Sequence, residues 1–218
     1  MNAEVNGLHA DDTLLVLEKP AGLLCVPGRG PDKQDALSTR AQALWPDALV
    51  VHRLDQATSG LMLMARGIEM QRALSQAFAE RRVYKRYQAV VAGRLQAPAT
   101  SDSEGWSEIT LPIAADWERR PLRVIDSAQG KPSVTRWRVL AHDKRADTTR
   151  VELEPVTGRT HQLRVHLAAL GHPILGDALY ADAATQARAP RLLLHACALG
   201  FAHPLRGGWC DYVSQPPF

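Results

Sequence analysis

The 218-residue chain is 45% hydrophobic and 22% charged, a balance that excludes a disordered chain, a fibre or a long coiled coil and suits one sizeable core, with room for a lesser lobe. Its formal charge is only +3, yet the basic residues cluster, as Arg81, Arg82, Lys85 and Arg86, then as Arg119, Arg120 and Arg123. A local basic face of this kind suits a phosphate backbone better than the small net charge does.

The opening MNAEVNGLHADD is polar and slightly acidic, unlike a secretory leader, and no apolar run approaches the roughly 18 residues that a membrane helix needs. Cys25, Cys197 and Cys210 are odd in number and share no metal-type spacing, so reduced thiols in a cytoplasm are expected.

In chain order, a strand is expected over Val50 to Leu54, breaking at Asp55 into a Thr-Ser-Gly turn before the apolar strand LMLMA. Residues 68 to 82 change period: Met70, Ala73, Leu74, Ala77 and Phe78 fall on one face of an amphipathic helix, with Gln71, Arg72, Gln76 and Glu80 on the other. The small, polar segment QAPATSDSEG, residues 96 to 105, reads as a loop or lobe boundary. Period two then returns, with Thr135, Trp137 and Val139 on one face of a strand and Val151 and Leu153 on one face of the next. A second helix starts near Thr160 in THQLRVHLAAL, with Leu163, Leu167 and Leu170 inward and a stop at Gly171 before Pro173; a third, shorter one covers Ala183 to Arg188. Without strict alternation of strand and helix, the pattern favours an α+β fold with a mixed, largely antiparallel sheet flanked by helices, in a single domain over residues 1–218.

The stretch VHRLDQATSGLMLMARG places Asp55 at a strand-to-loop edge, where catalytic side chains often project. An aspartate before Thr-Ser-Gly is also ordinary turn chemistry, its carboxylate capping N–H groups two residues on. His52 reads as a satisfied structural histidine. His161 and His166 are five apart and point to different faces of a helix, so with His172 they make a poor metal set. HRLD echoes a kinase loop, but the other kinase segments are missing.

HRLDQATSG resembles the HRLDxxTSG signature of the RluA group of pseudouridine synthases. Four further blocks agree in order: EKPAGLLCVPG, KRYQAVVAG, GRTHQLRVHLAALGHPILGDALY and RLLLHACALGFAHP. The resemblance runs from about residue 12 to the end. It implies an isomerase that needs no cofactor: the bond from uracil nitrogen 1 to ribose breaks, the base turns, and carbon 5 joins the same sugar carbon. Carried onto the matching positions, Asp55 is the nucleophile or base that serves both halves. A hydrolytic glycosidase normally needs a second carboxylate, whereas an isomerase needs a site that keeps water out. Arg164 matches the arginine that keeps the aspartate ionised, its alternative being a surface position on an amphipathic helix. Tyr87 matches the tyrosine that stacks on the uracil, its alternative being a strand aromatic that fills core, and Leu194 matches an apolar rest for the base, a position equally open to a core role. Arg53 matches the group that enters the RNA stack when the uridine is extruded, against a phosphate contact or ion pair.

The implied partner is structured RNA, recognised by basic side chains interleaved with Tyr84, Tyr87, Trp106 and Trp117. Many relatives carry a small N-terminal RNA-binding domain, and since the matching blocks begin near residue 12 none is expected here; without targeting, coiled-coil or membrane-helix signals, a monomer with no membrane partner is expected. LPIAADWERRP and the short length are most like the dual-substrate members of the group, implying uridines in 23S ribosomal RNA and in the tRNA anticodon stem-loop. The rivals are a non-catalytic RNA-binding protein that keeps the fold, which the full set of Asp55, Tyr87 and Arg164 disfavours, and a nucleoside hydrolase.

Overall fold

A computed structural model describes residues 5–218, so the first four residues of the polar N-terminal stretch lie outside it. The elements run β1 (Asn6–Ala10), β2 (Leu14–Lys19), α1 (Leu37–Leu44), β3 (Ala48–Val50), β4 (Ser59–Arg66), α2 (Ile68–Ala79) and β5 (Tyr84–Ala92). They continue as β6 (Ser107–Ile109), β7 (Ile113–Ala115), β8 (Arg123–Ile125), β9 (Thr135–Asp143), β10 (Thr148–Pro155), α3 (Gln162–Ala169), α4 (Ala183–Gln186), β11 (Leu194–Ala202) and β12 (Trp209–Val213). The α+β class with a mixed, mostly antiparallel sheet agrees with the sequence reading. The chain forms two compact units, Met1–Lys85 with His195–Pro217, and Arg86–Leu194 with Phe218. Segment 96–105 is therefore a loop inside the second unit and not a boundary: Asp102 ties it by accepting the N–H groups of Glu104 and Trp106 at 3.0 and 2.8 Å.

In the first unit, β2 pairs antiparallel with β1 on one side and with β4 on the other. The second edge of β4 is shared: β3 takes Met64 to Arg66, antiparallel, and β11 takes Ser59 and Gly60, parallel. Between them, opposite Leu61 to Leu63, the chain carrying HRLD leaves the sheet. The expected strand over Val50 to Leu54 thus ends at Val50, and for a visible reason: the next donor on the β4 edge, Leu63 N–H, goes to His52 Nε2 at 2.9 Å. Helix α2 lies where its period predicts, burying Met70, Leu74 and Ala77 against Leu61, Leu63 and Ala65 of β4 and Phe201 of β11. Each such fully buried Leu or Met contributes about 1.5–3 kcal/mol.

His52 also stacks on Phe78 with ring centroids 4.5 Å apart, which supports its structural reading. Enclosure of the ring, and then the nearby Lys85 ammonium, pushes its pKa down to about 3. Between about pH 3 and its ordinary value near 6.5, the unfolded chain takes up a proton that the native ring refuses, so stability falls as pH drops through this window. One such group gives a slope of at most about 1.4 kcal/mol per pH unit. Urea unfolding at pH 7 and pH 5 should show a smaller acid loss in His52→Gln, whose amide oxygen still accepts Leu63 N–H; equal losses would disprove this.

In the second unit, β5 pairs with β10, β10 with β9, and β9 with β6, all antiparallel, while β7 and β8 form a separate hairpin. Thr135 and Trp137 turn inward from β9, as their alternation predicts, and so do Val151 and Leu153 from β10. Helix α3 departs from expectation. Leu163 and Leu167 are buried, but so are Gln162, Arg164, Val165 and His166, while Leu170, placed inward from the sequence, is 37% exposed at the helix end. A short helix buried all round cannot be read by a one-faced period. The polar members are satisfied individually: Gln162 Nε2 donates to Val134 O and Thr135 Oγ1, and His166 bonds Thr135 Oγ1 and Leu111 O, all at 2.9 Å.

Candidate active site

Asp55 stands in a segment of the first unit that is held at several points. Lys19, fully buried at the end of β2, donates from its ammonium to the carbonyls of Pro20, Leu23 and Gln56 at 2.9, 2.8 and 2.9 Å. Gly22 N–H donates to Gln56 O at 2.8 Å, and Gln56 Nε2 returns a bond to Gly22 O at 3.0 Å. One residue before Asp55, Leu54 is buried, its N–H bonded to Cys25 Sγ at 3.1 Å while the thiol donates to its carbonyl at 3.2 Å. Burial, first of all, pushes the Cys25 pKa up, which keeps the thiol protonated and able to donate. Thr58 N–H then closes the turn onto the Asp55 carbonyl at 3.1 Å, leaving Asp55 half-buried and Arg53 exposed on the same turn. EKPAGLLC and HRLDQATSG, 29 residues apart at Cys25 and Leu54, therefore form one interlocked pair of loops.

Lys19 lies inside the EKPAGLLCVPG block, but nothing in the sequence marks its ammonium as a buried donor. Replacing it with Met, of similar length, would remove the donor from the carbonyls of Pro20 and Leu23, for which no other bond appears among the described residues; Gln56 O keeps Gly22 N–H. Lys19→Met is expected to lower stability by about 3 kcal/mol, read from urea unfolding. A midpoint unchanged from the wild type would contradict the role given to the ammonium.

Beyond the turn, the buried imidazole of His195 links two strand ends of the first unit. Its Nδ1 lies 2.9 Å from Ser59 Oγ and its Nε2 2.8 Å from Ser214 Oγ, whose hydroxyl donates to Glu18. Ser59 and Gly60, expected in a Thr-Ser-Gly turn, instead open β4, the turn itself running from Asp55 to Thr58, so this chain anchors the strand start that immediately follows the turn.

The other candidate residues lie in the second unit. Tyr87 is half-buried on β5 opposite Leu153, and Leu194 is buried at the start of β11. Arg164 is only 4% exposed, which rules out the surface alternative, and it grips a carboxylate that the sequence reading did not single out. Its Nε and Nη2 donate to the two oxygens of Asp177 at 2.8 and 2.6 Å. Asp177 is fully buried and also accepts the N–H groups of Leu179 and Tyr180. GHPILGDALY contains this aspartate, but no spacing in the sequence ties it to a helix thirteen residues earlier.

The aromatic set expected for RNA divides. Trp106 is buried, with the guanidinium groups of Arg86, Arg136 and Arg138 at 4.5, 5.0 and 4.7 Å from its ring, so it is not a stacking platform. Those arginines are themselves paired, Arg86 and Arg136 with Glu154 and Arg138 with Glu152, which takes Arg86 out of the expected phosphate-binding cluster. Trp117 is 71% exposed beneath the Arg120 guanidinium, and Tyr84 is exposed. The histidines weighed for metal have other partners: His161 Nδ1 bonds Tyr180 Oη at 2.7 Å, and His172 Nδ1 bonds Ala92 O at 2.7 Å.

Residues 13–169 match a family model described as RNA pseudouridylate synthase. The chain belongs to the RNA pseudouridylate synthase family. Within it the pseudouridine synthase is similar to the dual-specificity RNA pseudouridine synthases RluA of Pasteurella multocida, 44% identical, and of Escherichia coli, 46% identical, each match covering 97% of this chain and 93% of the relative. These identities over nearly full length make it a member of the RluA group. Its reaction class is that of an isomerase converting uridine to pseudouridine. The structure titled human RNA Pseudouridylate Synthase Domain Containing 1 matches with a TM-score of 0.80 and 30% identity, over 100% of this chain and 86% of that one. The family match takes in Arg53, Asp55, Tyr87 and Arg164 and ends before Leu194. Among the described residues of the pseudouridine synthase, no helix is long and apolar enough to cross a membrane.

Proposed function

We propose that this synthase acts in the cytoplasm as a monomer on two structured RNAs, a loop of 23S ribosomal RNA and a tRNA anticodon stem-loop. Residues 1–218 act as one catalytic module, with Asp55 as nucleophile or base and no cofactor. The likeness to relatives named dual-specificity supports two substrates. The observation that carries the assignment of Asp55 is the locking of its turn by the Lys19 ammonium and the Cys25 thiol, which fixes the backbone of a carboxylate while leaving the side chain half-buried. Catalysis demands such a fixed group, because the same atoms act when the nitrogen 1 bond breaks and when the carbon 5 bond forms. The step balances: the bond from nitrogen 1 to the sugar carbon is exchanged for one from carbon 5 to the same carbon, the proton on carbon 5 goes to solvent, and nitrogen 1 takes up a proton.

Arg164 keeps Asp55 ionised, a task for which a buried guanidinium that never deprotonates is suited. Tyr87 stacks on the uracil, Leu194 gives it an apolar rest, and exposed Arg53 takes the place of the extruded nucleotide. Exposed Arg81, Arg82, Tyr84 and Trp117 contribute phosphate and stacking contacts.

Transcripts labelled with tritium at uracil carbon 5 test this. Incubation with the purified protein alone should release tritium to water with the RNA chain intact, from both RNAs. Free uracil would make the protein a hydrolase, and binding without release would make it a non-catalytic RNA-binding protein.

A further inference from the structure

Arg164 is held by a side chain that takes no part in the chemistry proposed for it. Its bonds to Asp177 are parallel and charge-assisted, the two-pronged geometry that fixes both the position and the plane of a guanidinium. Asp177 is in turn fixed by two backbone N–H groups and sits at 0% exposure, so the pair has little freedom to swing. The Tyr180 ring lies 5.0 Å from the guanidinium carbon. Tyr180 is tethered by its hydroxyl, which accepts the backbone N–H of Arg123 at 3.0 Å and bonds His161 Nδ1 at 2.7 Å. His161 takes a left-handed backbone, φ 57, immediately before α3 begins. For a residue other than glycine this conformation costs on the order of 1–3 kcal/mol and persists only where its surroundings enforce it. A tyrosine and a buried carboxylate thus meet one arginine, and a strained histidine holds the tyrosine.

We infer that Asp177 is the positioning residue of the reaction: it orients Arg164, with Tyr180 closing over the guanidinium, so that the cation's remaining edge has a single direction. The inference rests on the reading that Arg164 serves the catalytic aspartate. It adds that a second carboxylate, remote from the reacting atoms in function, sets the rate through that arginine. Asparagine at position 177 is nearly isosteric, but an amide cannot supply two negative acceptors to the fork. Arg164 would then be free to rotate, and a misplacement of about 1 Å costs on the order of 100-fold in rate.

The test is a double-mutant cycle on the full chain with Asp177→Asn, Arg164→Lys and the double variant. Single-turnover tritium release is measured with enzyme in excess, RNA affinity by filter binding, and the folded state by circular dichroism. Asp177→Asn should release tritium about 100-fold more slowly with RNA affinity unchanged, and the double variant should be no slower than the slower single one. A native rate in Asp177→Asn beside a slow Arg164→Lys overturns the inference and leaves the role of Arg164 intact. Multiplicative losses overturn it as well, since they mean that Asp177 does not act through Arg164. A native rate in Arg164→Lys overturns the underlying reading. If Asp177→Asn does not fold, Tyr180→Leu takes its place in the cycle: a slow rate that the double variant does not worsen supports the inference, and a native or multiplicative one overturns it.

Discussion

Asp55→Asn is expected to stop tritium release, with a loss on the order of 10⁴-fold or more, the scale seen when a reacting group is removed from other enzymes, while RNA affinity stays within threefold, roughly the reach of one lost polar contact. Asparagine has nearly the same shape but offers no anionic oxygen to attack or to take a proton. The turn should survive the change, because it closes through the Asp55 carbonyl and Thr58 N–H, and because its neighbour Leu54 is held by Cys25. Affinity should survive because exposed arginines, among them Arg81 and Arg82, lie outside this turn. The measurement is single-turnover release with enzyme in excess, paired with filter binding of the same transcript. Release within tenfold of the wild type would remove Asp55 from the chemistry. A parallel loss of binding would make it a recognition residue.

How much of this was legible beforehand follows from the kind of contact involved. Helix α2 could be read from its spacing, since one face meets a sheet and the other meets water, and period 3.6 records that difference. Helix α3 could not be read in the same way, because Arg164 and His166 are as enclosed as Leu163 and Leu167. Its polar side chains are made tolerable by partners far away in sequence, Asp177 for Arg164 and Leu111 for His166, and no local pattern encodes those. The end of β3 was hidden for a related reason. Val50 to Leu54 has strand-forming residues, but a histidine ring, not the chain's own backbone, takes the next donor on the β4 edge.

The site divides along the same line. Asp55, Tyr87 and Arg164 were singled out because long motifs carry them. Lys19 and Asp177 stood inside quoted motifs and passed unnoticed, since each acts by bonds made after folding: an ammonium shared by three carbonyls, and a carboxylate gripping a guanidinium. Trp106 shows the opposite error. Its neighbourhood is rich in arginine, which reads as an RNA surface, but the arginines lie against its ring and are matched by Glu152 and Glu154. Composition reports which charges are near in sequence and not which are already neutralised.

Gly60→Ala is expected to destabilise the first unit by more than about 4 kcal/mol, the range reached only by changes that break a specific packing feature. Gly60 is the second residue of β4, two positions after the Asp55–Thr58 turn, where β4 and β11 come together as parallel strands, Gly60 facing Ala196. Its φ of +113 is one that side-chain-bearing residues rarely adopt, a strain of about 1–3 kcal/mol by itself. Steric overlap weighs more than this strain. A β-carbon there would stand 2.3 Å from the carbonyl oxygen of Ala196 and 2.6 Å from its nitrogen, and both are backbone atoms of a paired strand that cannot turn aside. Relief requires β11 to move off β4, which would pull His195 from Ser59 and loosen the turn that carries Asp55. Gly22→Ala provides the control: its φ is +88, but nothing lies within 4 Å of the added carbon, so only conformational strain of about 1–2 kcal/mol applies. Urea midpoints of the two variants separate the effects. If Gly60→Ala unfolds no earlier than Gly22→Ala, the close approach of the two strands does not govern the fold here; if it unfolds far earlier and its folded fraction also releases tritium slowly, the glycine of the motif serves the sheet and the site together.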